Sequence, residues 1–429
     1  MAKNVLFIPS YIEGKHVYAS LIKLHDLGYT LYSLCDRELN HPVDIFEEQF
    51  ICDITKITDT MEFLKKQNIH FDAVFTNSVE LVTPLIALLA KHYGFVGNDP
   101  GTAFHCRSKY HMRKKLQAEK IPVPGFRLCK NYQDVEKAVT EIGIPCVLKP
   151  VGWHSSFGTF MIRDKKDLGK LKMNYENSIQ FLMKQISEIS PFTKEELELL
   201  EIDDEVNMVT DYLVEEYMDG PEITIDAVVQ NGKAYILGIQ EQIIMPPPYF
   251  VRIGGCMPCQ HSDNTQKEIQ DLIQKTVEAI GIHDSATHTE IIFTKDGPRI
   301  VEIACRSGSD DLHEAIYHVS GYSTVYESVM IALGIKREYD FNPKCYVAMS
   351  YLLPDRKGKI TKIEIPERVT KDPDVIELRM TKNIGSVVAP PPIGFDYMGF
   401  ISVKGDTEEQ AQKKLRDASD HIKITIADE

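Results

Sequence analysis

Long apolar runs are missing from this chain of 429 residues. None reaches the length needed to cross a bilayer. The opening residues, Met1 to Ser10, lack the extended apolar core of a secretory leader and read at once as a strand. Basic residues are outnumbered: 48 Lys and Arg stand against 63 Asp and Glu, a net charge of -15. That sign argues against nucleic acid or an acidic membrane as the main partner. A few local lysines would still suffice for a nucleotide. There is no internal repeat and no low-complexity tract. No GxGxxG follows the first strand, so a nicotinamide dinucleotide is not indicated, and GxxxxGK[ST] does not occur. Zinc signatures are almost absent as well. The nine cysteines are scattered, and the one CxxC, Cys256 to Cys259, has no second pair and no HxxxH. Two ordinary thiols in a loop is the better reading. This cysteine usage fits a reducing cytoplasm.

What is present suits a globular protein of two to four domains, with 43% apolar residues. Strands at Asn4 to Ser10, Tyr29 to Cys35 and Phe71 to Asn77 alternate with helices at His16 to Leu27 and Val79 to Tyr93. Alternation of this kind predicts a parallel sheet covered by helices on both faces. Near Ser108 the texture changes to a short basic helix stopped by Pro122 and Pro124. Residues Ile144 to Pro150 then form a strand that ends in Lys149 and Pro150. Residues Asn174 to Asp211 read as acidic and helical, with a capping box at Thr193 and Glu196. Strands and turns follow from Asp211, a helix spans Thr265 to Ile280, and strands dominate from about Asn342 until a helix near Thr407 to Ile422. The proline stretches at Met245 and Ala389 read as rigid connectors.

Chemistry concentrates at four places. First, His288 to Asp310 holds two apolar strands around an Asp-Gly-Pro turn centred near Asp296. A symmetric hairpin pairs Glu290 with Glu302 and His288 with Ala304. Opposed residues lie about 4.5–5.5 Å apart at Cβ, so the two carboxylates would raise each other's pKa. A divalent cation would resolve that conflict; a solvent-facing pair in a looser register would not need one. Second, Lys149 runs into a loop of small residues, Gly152, Ser155, Ser156 and Gly158. Such a loop can cradle phosphate through backbone N–H groups, or be a surface loop. Third, "VEEYMDGPE" offers a strand edge for adenine and Glu222 for ribose hydroxyls, or is an acidic surface hairpin. Fourth, the linker Glu241 to Pro258 carries Arg252, which either grips a substrate carboxylate or faces solvent.

In their order these features resemble the ATP-grasp superfamily over roughly Ser108 to Leu333. The resemblance implies that Lys109 and Lys149 are the two ATP lysines, with Ser155, Ser156 and Gly158 in the flexible loop. It makes Glu215, Glu216, Tyr217 and Met218 the adenine hinge, Glu222 the ribose ligand, and Glu290 and Glu302 the magnesium ligands. Many members read E-x-N-x-R where this chain has Glu302-Ile303-Ala304-Cys305-Arg306, so the further ligand Asn is replaced by Ala304. The C-terminal region is similar to the β-rich lobe of the bacterial L-amino acid ligases, which include bacilysin-type dipeptide ligases. The implied fold is α/β and α+β and multidomain. A parallel-sheet domain spans residues 1–107 and a small ATP-grasp lobe with an acidic helical insertion spans 108–213. A large lobe spans 214–429, with a β-rich subdomain from about 342. The implied activity is amide formation from an acid and an amine with ATP and Mg2+ (Mn2+ as a substitute), Lys149 and Arg306 being catalytic. The substrates would be small molecules, with neither nucleic acid nor membrane as partner and a homodimer among the allowed assemblies. An ATP-grasp ligase of another pathway, such as purine biosynthesis, and a non-catalytic nucleotide sensor are the rival readings.

Overall fold

The computed structural model describes residues 2–9, 15–39, 44–153, 158–184, 192–203, 206–245, 250–259, 261–309, 312–391 and 396–427. Among these, the strands form four sheets. The first is parallel. Strands β1 (Asn4–Phe7), β2 (Thr30–Cys35), β3 (Phe46–Ile51) and β4 (Ala73–Phe75) lie in the order β3-β2-β1-β4. Helices α1 (Lys15–Asp26), α2 (Ile57–Lys66) and α3 (Thr83–Tyr93) connect or follow them. Alternate residues of β1 explain the layers. Val5 and Phe7 pack with α1 residues Val17, Leu21 and Leu24, while Leu6 and Ile8 pack with Leu64, Leu85 and Leu88 of α2 and α3.

Helix α4 (Pro100–Arg107) and helix α5 (Lys109–Ala118) lead out of this layer. The second sheet joins β5 (Phe126–Cys129), β6 (Cys146–Pro150), β7 (Phe160–Ile162) and β8 (Tyr212–Glu216) in the order β5-β8-β6-β7. Helices α6 (Tyr132–Ile142), α7 (Lys165–Lys184) and α8 (Lys194–Leu199) lie between its strands in sequence. The helical stretch thus begins at Lys165, before the Asn174 expected. The capping box at Thr193 and Glu196 is present, and Glu196 also accepts the N–H of Ile57 at 2.8 Å. One carboxylate therefore satisfies orphan donors at the starts of two helices, its own and α2.

The third sheet is the largest. It takes β9 (Glu222–Gln230), β10 (Lys233–Ile244), β11 (Arg252–Met257), β12 (Ser285–Thr294) and β13 (Gly297–Ala304). Helix α9 (Asp263–Ile280) covers one face, with Ile269, Ile273, Val277 and Ile280 buried against Ile223, Ile225 and Ile303. Ser262 caps its start, and Gly281 at φ +89° ends it in the left-handed conformation. Helices α10 (Leu312–Ser320) and α11 (Thr324–Ala332) follow. Strand β14 (Tyr346–Leu352) continues the sheet. After it come β15 (Gly358–Glu364), α12 (Glu367–Thr370), β16 (Val375–Met380), β17 (Val387–Val388), β18 (Gly399–Gly405), α13 (Glu408–Ser419) and β19 (Lys423–Ala427). The full order is β13-β12-β9-β10-β11-β14-β18-β16, and β17-β15-β19 make the fourth sheet.

The stretch read as one strand-turn-strand unit, β8 to β9, is not a hairpin: its two strands belong to different sheets. The expected linker Glu241 to Pro258 is largely the paired strands β10 and β11. Its proline stretch at 246–249, and residues 392–395 of the other, lie outside the described residues.

Candidate functional site

Strand pairing places the glutamates. Glu290 faces Glu302 and His288 faces Ala304. The route to that register differs from a symmetric hairpin. Thr294 pairs with Gly297, which leaves Lys295 and Asp296 as the loop, so the turn is centred between these two residues and not on Asp296. A bulge at Val301 then restores the glutamate pair. The bulge has a second effect. The carbonyl of Val301 accepts a hydrogen bond from Arg113 Nη2 at 2.6 Å.

The face that carries Glu290 changes character along β9. Glu222, Thr224 and Asp226 alternate onto it at its polar end, and Val228, two residues on, is buried against α10. Asp226 pairs with His288 and accepts from its Nδ1 at 3.1 Å, while the Gly308 N–H donates to the other oxygen at 2.5 Å. Burial alone would raise the Asp226 carboxyl, but His288, the Gly308 N–H and His313 hold it below the ordinary carboxylate range. His288 Nε2 lies 3.9 Å from Glu290. Glu290 goes the other way. Burial and the charge of Glu302 push its carboxyl up, against His288, Lys109 and Arg306. Glu222 joins the same field, pushed up to about 8 by burial and then by Glu290. The three glutamates thus share one electrostatic field. The sequence carried a signal for this, the two-residue spacing of Glu222, Thr224 and Asp226.

Both lysines reach this region from the second sheet and its approach. Lys149 is buried at the end of β6, with Nζ 2.5 Å from Glu215. Arg113 grips the same carboxylate at 2.8 Å through Nε. Burial, with Arg113 and Lys109 beside it, lowers the Lys149 ammonium pKa against the pull of Glu215. Lys109, four residues before Arg113 on α5, donates to the Trp153 carbonyl and lies 3.2 Å from Glu302. That i,i+4 spacing puts both cations on one helix face, and Arg113 was the residue sequence reasoning missed.

The other predicted residues make contacts of their own. The Glu215 side chain is buried in the Arg113–Lys149 network. Glu216 binds Arg299 at 2.8 Å, and the Tyr217 N–H donates to the Pro145 carbonyl. Met218 lies in the passage between the two sheets. The Gly152 N–H donates to the Met208 carbonyl, and a Cβ there would stand 2.5 Å from that oxygen, so close packing requires this glycine. Gly158, at φ +72°, is pressed against Ser178 and Pro150. Ser155 and Ser156 lie outside the described residues.

Arg306 follows the end of the strand that carries Glu302. Strand β13 ends at Ala304, and Arg306 Nη2 donates to Glu80 at 3.0 Å, in the turn after β4. Arg252 is turned by a bulge at Ile253 onto the face of Gln240 and donates to it at 2.6 Å. Its guanidinium lies 5.5 Å from the Tyr351 ring centre. Cys256 and Cys259 are free thiols, each pushed up to about 12, chiefly by burial. Among the described residues, no group of three or more His, Cys, Asp or Glu is arranged to hold a metal ion. No described helix is long and apolar enough to cross a membrane.

Residues 142–313 match the ATP-grasp domain family, and residues 350–427 match L-amino acid ligase C-terminal domain 2. The chain is 24% identical to alanine–anticapsin ligase of Bacillus amyloliquefaciens, over 98% of this chain and 92% of that protein. Its fold resembles the crystal structure of the L-amino acid ligase from Bacillus licheniformis, with TM-score 0.80, 21% identity and 99% of both chains covered. Phosphoribosylglycinamide synthetase from Anaerococcus prevotii is similar at TM-score 0.71 and 16% identity, over 100% of each chain.

Proposed function

We propose that this chain, an ATP-grasp protein carrying an L-amino acid ligase C-terminal domain, is an ATP-dependent carboxylate–amine ligase that joins two amino acids. The observation that carries this reading is the convergence of Lys109, Glu222, Glu290 and Glu302 where two sheets meet. Lys109 and Lys149 hold ATP phosphates in this scheme. Glu290 and Glu302 hold magnesium. The donor set fits that ion, which takes one or two carboxylates together with substrate phosphates. It also fits the charge: burial, and then the carboxylate opposite, push the Glu290 carboxyl up, and a cation would offset both. When bound, magnesium supplies positive charge between these carboxylates and the phosphates.

The substrate carboxylate takes the γ-phosphoryl group of ATP, giving an acyl phosphate and ADP. The amine then attacks the acyl carbon, phosphate leaves, and the amine proton is lost to solvent. Arg306 offsets the negative charge on the tetrahedral carbon's oxygen. Glu222 holds the ribose. The departure at Ala304 leaves the face beside Glu302 to the His288–Asp226 pair. The test is turnover with pairs of amino acids, with nucleotide and product masses measured. The expected products are ADP, phosphate and a dipeptide. Formation of AMP and pyrophosphate would exclude the acyl phosphate route, and an amide made only with a non-amino-acid partner would exclude the dipeptide.

A further inference from the structure

The parallel sheet meets the site at its C-terminal edge, the edge where open α/β sheets place their ligands. The loop after β4 is tied there twice. Ser307 Oγ donates to the Asn77 carbonyl, and Arg306 Nη2 donates to Glu80 Oε2 at 3.0 Å. The other oxygen of Glu80 lies 3.8 Å from Arg107 Nη1. Arg107 in turn donates to the carbonyl of Gly152, at the start of the loop beyond Lys149. One buried carboxylate thus touches two guanidiniums, one leading to the phosphate loop and one at the end of β13.

We propose that Glu80 is a positioning residue, through which the N-terminal domain sets Arg306 for the amine-attack step. This rests on the ligase reading above. Arg107 and Arg306 repel each other, and burial already disfavours the Arg107 charge. Glu80 is the anion that lets both stay in place. A buried ion pair is poor evidence for stability, because the desolvation cost offsets the attraction. What it fixes well is geometry: a guanidinium fork held by a carboxylate has a set direction. Glu80 is itself held, since Thr83 Oγ1 donates to its carbonyl at 2.9 Å in the turn that starts α3.

The experiment is a cycle of Glu80→Gln, Arg306→Lys and the double variant, with Glu80→Asp as the form that keeps the charge. Readouts are thermal melting, KM for ATP, kcat, and phosphate released per amide formed. Glu80→Gln is expected to lower kcat by about tenfold or more, as loss of a preorganised donor does. KM for ATP should stay within about twofold, because uniform binding is untouched. Phosphate per amide should rise, since water competes when amine attack slows. The double variant should be no worse than the poorer single, and Glu80→Asp should recover part of the loss. If Glu80→Gln does not fold, Glu80→Asp carries the test, with the same split between kcat and KM. Multiplying losses, or a lower melting point with kcat and coupling unchanged, would make Glu80 a structural ion pair and overturn the proposal. A wild-type protein without acid-dependent ADP release would instead remove the ligase reading, and this inference with it.

Discussion

Two glutamates, the buried Glu215 and the half-buried Glu290, have opposite fates. Burial pushes both carboxyls up, but Arg113 and Lys149 bring Glu215 below its ordinary range, whereas Glu302 drives Glu290 further up. Glu215 is satisfied by the protein. Arg113 and Lys149 bind it at 2.8 and 2.5 Å, and Arg113 is anchored again by the bulged carbonyl of Val301. Glu290 faces a like charge across the hairpin. The difference separates a carboxylate that completes the fold from one whose balance calls for a ligand.

The largest effect is expected where that balance is internal. Glu215→Gln leaves Arg113 and Lys149 buried without their counterion. Breaking a buried pair from one side costs about 3–5 kcal/mol. A denaturant midpoint close to wild type would show that Glu215 is not the keystone of this network, and the contrast would collapse.

The second effect is catalytic rather than structural. Glu290→Gln or Glu302→Gln removes one of two repelling charges, so melting should hold or rise. Turnover should fall by about a hundredfold, near 2.7 kcal/mol of barrier. The double variant should be little worse than either single, as for residues that act as a unit. Near-normal turnover in either single, titrated against magnesium, would withdraw the metal assignment.

These two glutamates also measure what the sequence made legible. The pairing of Glu290 with Glu302 followed from strand alternation and a symmetric turn, and it holds because the shorter loop and the Val301 bulge compensate. The role of Glu215 could not be read that way. Its partners, Arg113 and Lys149, lie 102 residues and one sheet register away. Such contacts are set by how strands assemble, and local pattern carries no record of that. Strand β3, Phe46-Glu-Glu-Gln-Phe-Ile51, was missed because its exposed glutamates hide a short edge strand. Nothing local marks the strand end at Ala304 or the contact of Arg306 with Glu80, which the N-terminal sheet supplies together with Asn77.

A third, smaller effect is in pH. The Glu222 carboxyl stands at about 8 in the folded protein against an ordinary 4.5. Below the ordinary value both folded and unfolded chains hold the proton. Between the two values the folded chain keeps a proton the unfolded chain has lost, so stability falls as pH rises, by at most about 1.4 kcal/mol per unit for one group. Above 8 the slope ends. The ligand-free protein should therefore melt lower at pH 8 than at pH 6, and Glu222→Gln should flatten the difference. Magnesium with ADP should recover stability at the higher pH, by binding the ionised cluster. An unchanged slope in Glu222→Gln would move the titration elsewhere and detach Glu222 from the acidic field.

The smallest effect is expected at Cys256 and Cys259, where burial and two acidic neighbours act together. Both thiols are pushed up to about 12, by burial first and then by Glu241 and Glu408. A zinc ligand must be a thiolate, and two acidic neighbours oppose that form just as Glu302 opposes ionised Glu290. The comparison differs in what surrounds each pair. Lys109 and Arg306 stand by Glu290, so the charged form has partial support; the charges that act on these thiols are those of Glu241 and Glu408. The pair should behave as small apolar side chains. Replacing both with Ala should cost about 1 kcal/mol at the buried Cys256, on the scale of one methylene, and less at the half-buried Cys259. ATP turnover should be unchanged, and purified protein should carry no stoichiometric zinc. Zinc present in the wild type and lost in the double variant would show that these thiols ionise in place, and that burial with like charge does not exclude a metal from this fold.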